Sequence, residues 1–424
     1  MDGGAAVHSS VQRLQHVVRS IAPGAHPRGA WVFFVTQLLA VILLQRIVVP
    51  GLAVEIILFT FAAGIAGLCL FGEVSVSSIR VFLFSAFAVS IFLSSLLAGR
   101  EVSVTSVALL LAGYSSYVIM LNVTRAFYLR CINFFVGVMI VVAFITVIQI
   151  GGQAATGRVL VPSMDGLLPD SLIIQGYVYW QTINWGAELI KPPAFFFREV
   201  SFVSQFLALA IVAEIAFFRR IWRLVILIVA LFATFAGTGL LILAVTSPFL
   251  LAKLPRIAKL CAIPLVAFGA MVLVASGWFS NVEYRLGEYE DTSSSAYGRF
   301  IYPVVALSQL EEFDNPVLSG MGAGNADRAT KGNGVLAAPT KLLLEYGIVP
   351  AILFYIFLIY CLFYRTPDIS FSFALLAVHV LGGGYLLVTP YIILIFILGV
   401  VFRIPEQQTE SLTGDRMAGL RLRN

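Results

Sequence analysis

Residues 197–218 read FREVSFVSQFLALAIVAEIAFF. From Val200 onward this stretch holds a single charge, Glu214, close to its far end. An apolar run of that length is enough to cross the roughly 30 Å hydrocarbon layer of a bilayer as a helix. It nevertheless opens on Arg198 and Glu199. Arg198, Ser201 and Gln205 follow at i, i+3 and i+7 and therefore share one helix face. A polar stripe that enters a membrane helix costs free energy and tends to be retained for function. The plainer alternative is an interfacial arginine reaching lipid phosphate, with Glu199 as its neutraliser.

The rest of the chain has the same texture. Of 424 residues, 60% are hydrophobic and 12% charged, with a mean hydropathy of +0.96. A soluble domain carries about 25% charged residues, so the composition excludes a soluble enzyme, a nucleic-acid-binding domain and a disordered scaffold. About twelve spans are predicted, near 30–49, 52–71, 79–98, 103–121, 131–150, 200–218, 222–236, 238–252, 260–279, 341–364, 370–388 and 390–402. The expected fold class is an all-α integral membrane protein with a polytopic domain over 30–403. Polar tails flank it at 1–29 and 404–424. Cys69, Cys131, Cys261 and Cys361 lie in or beside apolar runs and form neither a disulfide framework nor a metal-ligand pattern. His8, His16 and His26 fall in the first tail. His379, in mid-helix, reads as a hydrogen-bonded packing residue.

Cytoplasmic loops of membrane proteins are rich in Lys and Arg. With the N-terminus inside, seventeen of the 27 basic residues fall on the inner side, in short turns and tails. Both termini are then cytoplasmic. Two long loops remain, about 151–199 and 280–340, and both lie outside. The net charge of +5 reports basic inner turns rather than a nucleic-acid partner.

The first outer loop ends in Lys191-Pro192-Pro193-Ala194-Phe195-Phe196-Phe197 before Arg198. The second holds Arg285, Glu290, Tyr297 and Arg299, and an amphipathic stretch near 299–312 with Tyr302 in it. It ends in a glycine-rich turn, Gly320-Met321-Gly322-Ala323-Gly324, whose bare amides make Gly322 a weak phosphate-contact candidate; tight-turn geometry is the plainer reading. Arginine binds phosphate oxygens in a fork and keeps its charge. A carboxylate next to it could take a proton from an attacking sugar hydroxyl. The chain has no Asp-x-Asp and no histidine pair, so no metal is expected.

Several segments together resemble the O-antigen polymerase and ligase superfamily of multispanning glycosyltransferases. Phe197-Arg198-Glu199-Val200-Ser201-Phe202 is similar to its F-R-E-P-S-F segment, with Val200 in place of proline. Phe235-Ala236-Gly237-Thr238-Gly239-Leu240-Leu241 resembles its S-R-T-G-L-L turn, with Ala-Gly in place of Ser-Arg. Gly298-Arg299 followed by Asn315-Pro316-Val317-Leu318-Ser319-Gly320-Met321-Gly322 is similar to R…P-L-x-G-x-G, and Leu344-Glu345-Tyr346-Gly347-Ile348-Val349-Pro350 to L-x-E-Y-G-I-x-G. The resemblance implies a GT-C-like helical architecture in a bacterial inner membrane, with the active site on the periplasmic side. It implies metal-independent, cofactor-free transfer from an undecaprenyl-diphosphate-linked sugar. Ligases of the superfamily carry a histidine shortly before the E-Y-G helix; residues 334–341 of this chain contain none, which favours a polymerase. The polymerases also carry an Arg-then-Gly spacing in both outer loops, of which Arg158 with Gly166 and Arg299 with Gly320 are approximate relatives.

The expected activity is polymerisation of lipid-linked oligosaccharide repeats into O-antigen, capsule or exopolysaccharide. Arg198 and Arg299, with Arg285 as a third, would hold the diphosphate. Glu199 is the first choice of base, with Glu345 and Glu290 as alternatives. Ser201 and Gln205 would line the same face, and Tyr297, Tyr302 and Trp278 are candidates to stack on sugars. Expected partners are the lipid-linked repeats as donor and acceptor, the bilayer, a chain-length regulator and a flippase. Two alternatives are an O-antigen ligase acting on lipid A-core and a twelve-helix transporter or flippase, the latter requiring repeats or broken midplane helices.

Overall fold

The computed structural model describes residues 28–51, 54–71, 74–98, 101–158, 167–183, 189–253, 297, 301–308, 320–326, 336–382 and 386–404. These residues are mostly helical with a few very short strands. In chain order they form α1 (Arg28–Leu43), β1 (Val48–Val49), β2 (Val54–Glu55), α2 (Ile56–Leu70), β3 (Ser75–Val76), α3 (Ser78–Leu97) and α4 (Val104–Ser115). β4 (Ile119–Asn122), α5 (Arg125–Thr156), α6 (Val200–Ala213), α7 (Ile221–Ala233), α8 (Gly237–Lys253) and α9 (Tyr302–Ser308) follow. The chain closes with α10 (Ala338–Tyr346), α11 (Ile348–Phe363), α12 (Ile369–Leu381), α13 (Thr389–Ile395) and β5 (Phe402–Arg403). One turn of wider, π-type helix extends α6 to Phe218 and another extends α13 to Val400.

Three of these helices are long and apolar enough to cross a membrane by length and composition: Ser78–Leu97, Arg125–Thr156 and Val200–Phe218. The other apolar helices are shorter, at 10–17 residues. Several fall short of the spans expected from hydropathy because the chain leaves the helix early. The stretch near 30–49 stops at Leu43 and turns into β1, which pairs antiparallel with β2. The stretch near 103–121 ends in a tight turn over Ser116–Val118 and then β4. β4 pairs antiparallel with β3 and parallel with β5, a small three-stranded sheet that hydropathy does not reveal. The stretch near 341–364 is broken at Gly347, whose φ of 81° no L side chain adopts easily, so α10 and α11 are separate helices. The opposite difference occurs at α5, which runs from Arg125 rather than 131. Thr124 caps its first turn and left-handed Gly157 ends it. The expected span near 260–279 lies outside the described residues.

α6 forms the centre. Every residue from Val200 to Ala213 is buried, against α5, α7, α8 and α12. Tyr391 of α13 packs on Phe202 and Phe206. Helices at the periphery show the reverse. α3 exposes Phe82 at 70% and Leu96 at 80%, and α11 exposes Ile348, Ile352, Ile356 and Ile359 on one face. Aliphatic faces of that extent belong against another apolar medium rather than water.

Contacts sort the connections into two ends. At one, β3, β4 and β5 meet, Arg220 reaches Asn133, and Lys253 pairs with Asp368. At the other, the strand pair β1–β2 meets the loop before α6, and the turn at 320–326 packs on α10 and the start of α4. Successive helices thus run up and down, as expected for a polytopic bundle.

Candidate functional site

Arg198 sits two residues ahead of α6, and the chain before it is forced into place. Pro192 and Pro193 deny two amide donors. Ala194 and Phe195 then adopt left-handed backbone, φ 49° and 65°, at about 1–3 kcal/mol each for non-glycine residues. Side chains of α5 hold this turn. The Ala194 amide donates to Gln149 Oε1 at 3.0 Å. Gln153 accepts from the Ile190 amide and donates to its carbonyl, both at 3.1 Å. Tyr179 donates to the Phe195 carbonyl at 3.2 Å. Backbone strain stabilised from several directions is characteristic of a positioned site.

The strained turn delivers Arg198 into the interior, where its side chain is fully covered. Nη2 lies 2.6 Å from Glu55 Oε2. Nε donates to the Gln45 carbonyl, and Nη1 donates to the Tyr177 hydroxyl at 3.1 Å. Burial by itself lowers the guanidinium pKa, but Glu55 and Tyr177 more than offset that and hold it above its ordinary value. Burial also pushes the Tyr177 phenol up, against the pull of Arg198, so it stays protonated and keeps a donor to offer. Glu199 does not share in this ion pair. It is half-buried, with Oε2 accepting from Ser201 Oγ at 3.0 Å. Arg46 completes the neighbourhood, its guanidinium 4.0 Å from the centre of the Tyr179 ring.

The structure therefore brings together Arg198, Glu199 and Ser201, three residues expected from the sequence. Gln205 is on the same helix face but wholly interior. Sequence reasoning missed Glu55, Gln45 and Tyr177. One signal was available for Glu55, the lone charge between Arg46 and Glu73. Nothing in the sequence pairs it with Arg198, 143 positions away.

The second group of expected residues divides. Arg299, Arg285, Glu290 and Trp278 lie outside the described residues. Tyr302 is half-buried and packs with Leu307 against Met321, Ala326, Leu336 and Leu344. The glycine-rich turn is corrected. The Gly322 amide donates to the Glu345 carbonyl at 2.9 Å and the Met321 amide to the Leu344 carbonyl at 2.7 Å. Those amides close the carboxyl end of α10, whose orphan carbonyls need donors, so Gly322 is not open to a phosphate. Gly320 has φ 67°, and a Cβ there would stand 2.6 Å from the Glu345 carbonyl oxygen. Glu345 itself is completely buried, with Lys341 Nζ 3.9 Å away.

Where they are described, the segments that carry the resemblance make contacts in two pairs. Ser204 Oγ lies 2.9 Å from Thr238 Oγ1 and accepts from the Gly239 amide at 3.2 Å, joining the start of α6 to the start of α8. A Cβ at Gly239 would meet the Ser204 carbonyl oxygen at 2.3 Å. The Gly320–Gly322 turn seats on Leu344–Glu345, as above. α12 packs against both α6 and α10. His379 of α12 is buried with Nε2 2.9 Å from the Tyr114 hydroxyl, a hydrogen-bonded packing residue as expected. Cys69, Cys131 and Cys361 are free thiols. Comparison with protein-family models, with curated proteins and with solved structures found no match to this chain.

Proposed function

We propose that this chain is a polytopic membrane glycosyltransferase that polymerises undecaprenyl-diphosphate-linked oligosaccharide repeats at the outer leaflet of a bacterial inner membrane. The observation that carries the reading is the Arg198 cluster. A guanidinium is fixed at the amino end of the central helix, beside two half-buried carboxylates, Glu55 and Glu199, and a protonated phenol, Tyr177. A helix amino end is the positive pole of the helix dipole. A cation placed there adds to a field suited to an anion, which is a poor choice for folding and a useful one for binding phosphate.

In this reading the acceptor hydroxyl oxygen attacks the anomeric carbon of the donor, and the bond from that carbon to the diphosphate breaks. Charge grows on the departing diphosphate, and a fixed cation stabilises it more in the transition state than in the ground state. Nε and Nη1 of Arg198 have hydrogen-bond acceptors, while Nη2 meets Glu55 as an ion pair. The guanidinium is covered, so a phosphate oxygen reaches it as Tyr177 or Glu55 gives way. Glu199 takes the hydroxyl proton; its carboxylate accepts one hydrogen bond, from Ser201 Oγ, among the described residues. Glu345 is a weaker candidate, because it is buried under the glycine turn. Arg299 and Arg285 remain the proposed second and third cations.

Purified protein supplied with a synthetic lipid-diphosphate repeat tests the reading. A ladder of products on gel electrophoresis is expected. Glu199→Gln should reduce its formation by about 10²-fold or more with the fold intact. Wild-type protein that leaves the repeat unextended, or a Glu199→Gln variant with full activity, removes the proposal. A ligase would instead move preformed polymer to a lipid A-core acceptor without lengthening it.

A further inference from the structure

The basic cluster at the opposite end of the bundle is not used by this chemistry. Arg219 takes a left-handed turn (φ 61°) between α6 and α7 and stands exposed. Arg220 forks onto the buried Glu214, with Nε 2.8 Å from Oε1 and Nη2 2.9 Å from Oε2. Asn133 Oδ1 accepts from both Arg220 Nη1 at 2.7 Å and Arg223 Nη1 at 3.0 Å. Lys253 pairs with Asp368. Both carboxylates of the cluster are thereby occupied. Among the described residues no carboxylate pairs with Arg219 or Arg223. The Arg219 side chain makes one long bond among the described residues, 3.5 Å to the Lys253 carbonyl.

These guanidiniums stand at the head of an exposed apolar helix face. α7 turns Ile221, Trp222, Val225, Ile228, Val229 and Phe232 outward. The Arg223 guanidinium lies 5.0 Å from the centre of the Trp222 ring, which fixes its direction. Cations with no paired carboxylate among the described residues, an aromatic ring beside them and an aliphatic track beneath form the complement of an amphiphile with an anionic head.

We propose that Arg219 and Arg223 bind the phosphate of an anionic phospholipid whose acyl chains lie along α7. The site shares with the proposed function only the bilayer. Arginine suits the role because its planar fork takes two phosphate oxygens at once, and Asn133 holds the Arg223 fork in place.

Native mass spectrometry of the full chain in detergent tests it, with equimolar phosphatidylglycerol and phosphatidylcholine of the same acyl chains. The expected result is retention of phosphatidylglycerol over phosphatidylcholine by about tenfold. R219Q/R223Q should bind the two lipids equally, while R158Q, an exposed arginine elsewhere, should keep the preference. R219K/R223K, which keeps the charge and loses the fork, should fall between and serves if the glutamine pair does not fold. Inorganic phosphate should not displace the lipid, because the apolar track contributes. Equal binding of both lipids by the wild type, an unchanged preference in R219Q/R223Q, or ready displacement by inorganic phosphate would each overturn the site.

Discussion

Two buried arginines at opposite ends of the bundle are held in opposite ways. Arg80, near the start of α3, is completely buried. It donates to the carbonyls of Tyr117 at 2.9 Å, Ile119 at 3.2 Å, Val400 at 3.1 Å and Cys361 at 3.3 Å. Three of those oxygens close helical segments: the turn after α4, the π extension of α13 and the last turn of α11. Helix carboxyl ends carry unsatisfied carbonyls and partial negative charge, so a cation there needs no carboxylate. Arg403 adds a second donor to Cys361, at 2.6 Å. Arg198 is at the other pole, an amino end, where the helix field is unfavourable and Glu55 must supply the compensation. The first arrangement is what folding alone would select. The second is locally inconsistent, and local inconsistency in a folded protein marks places where function is retained at a cost.

The contrast can be broken first at Arg80. Arg80→Ala removes a donor from four buried carbonyls, of which Cys361 keeps Arg403 and Tyr117 keeps only the weak Cys361 thiol. Each carbonyl left without a donor costs about 1–3 kcal/mol, and folded protein recovered from membranes should drop sharply by size-exclusion chromatography. Normal recovery would show that the helix ends are satisfied without it. Arg198→Met alone strands the Glu55 carboxylate and should cost about 3 kcal/mol in thermal unfolding. Arg198→Met with Glu55→Leu should regain most of that loss. Such recovery is the signature of a pair the fold could do without. The close approach of α6 and α8 sharpens the account of the same end. Gly239→Ala places a Cβ against the Ser204 carbonyl and should cost about 1–3 kcal/mol, visible as a lowered melting temperature. The smallest effect belongs to the contact between α4 and α12. Tyr114→Phe removes the hydroxyl shared with His379 and the Leu386 carbonyl, and about 1 kcal/mol is expected.

The sequence made the helices legible wherever apolar length decides. Apart from 260–279, each expected span has a helix in the described residues, with shifted ends. The ends were hidden because they depend on partners distant in the chain. β4 ends the fourth span where it does because β3 and β5 pair with it there. Arg80 reads as an ordinary basic residue of an inner turn, and only the convergence of three helix ends on it explains its burial. At the candidate site, Ser201 and Gln205 lie on α6 with the spacing read from the sequence, whereas Arg198 stands ahead of the helix and is placed by the turn before it rather than by helical periodicity. Glu55 was visible only as an isolated charge. Tyr177 and Gln45 carried no signal, because a lone tyrosine and a lone backbone carbonyl look the same in any loop. The glycine turn goes the way of its plainer reading. Its bare amides gave a weak anion signal, and the structure spends those of Met321 and Gly322 on the carbonyls of α10.

The most direct test of the functional reading uses the double variant, since it separates activity from folding. Cells that make the polysaccharide should carry Arg198→Met/Glu55→Leu at wild-type membrane levels, and their lipid-linked product should be resolved by length. The account predicts single repeats with no long chains. Long chains of normal distribution from a double variant folded as well as the wild type would contradict it, and would make the Arg198–Glu55 pair a structural clasp.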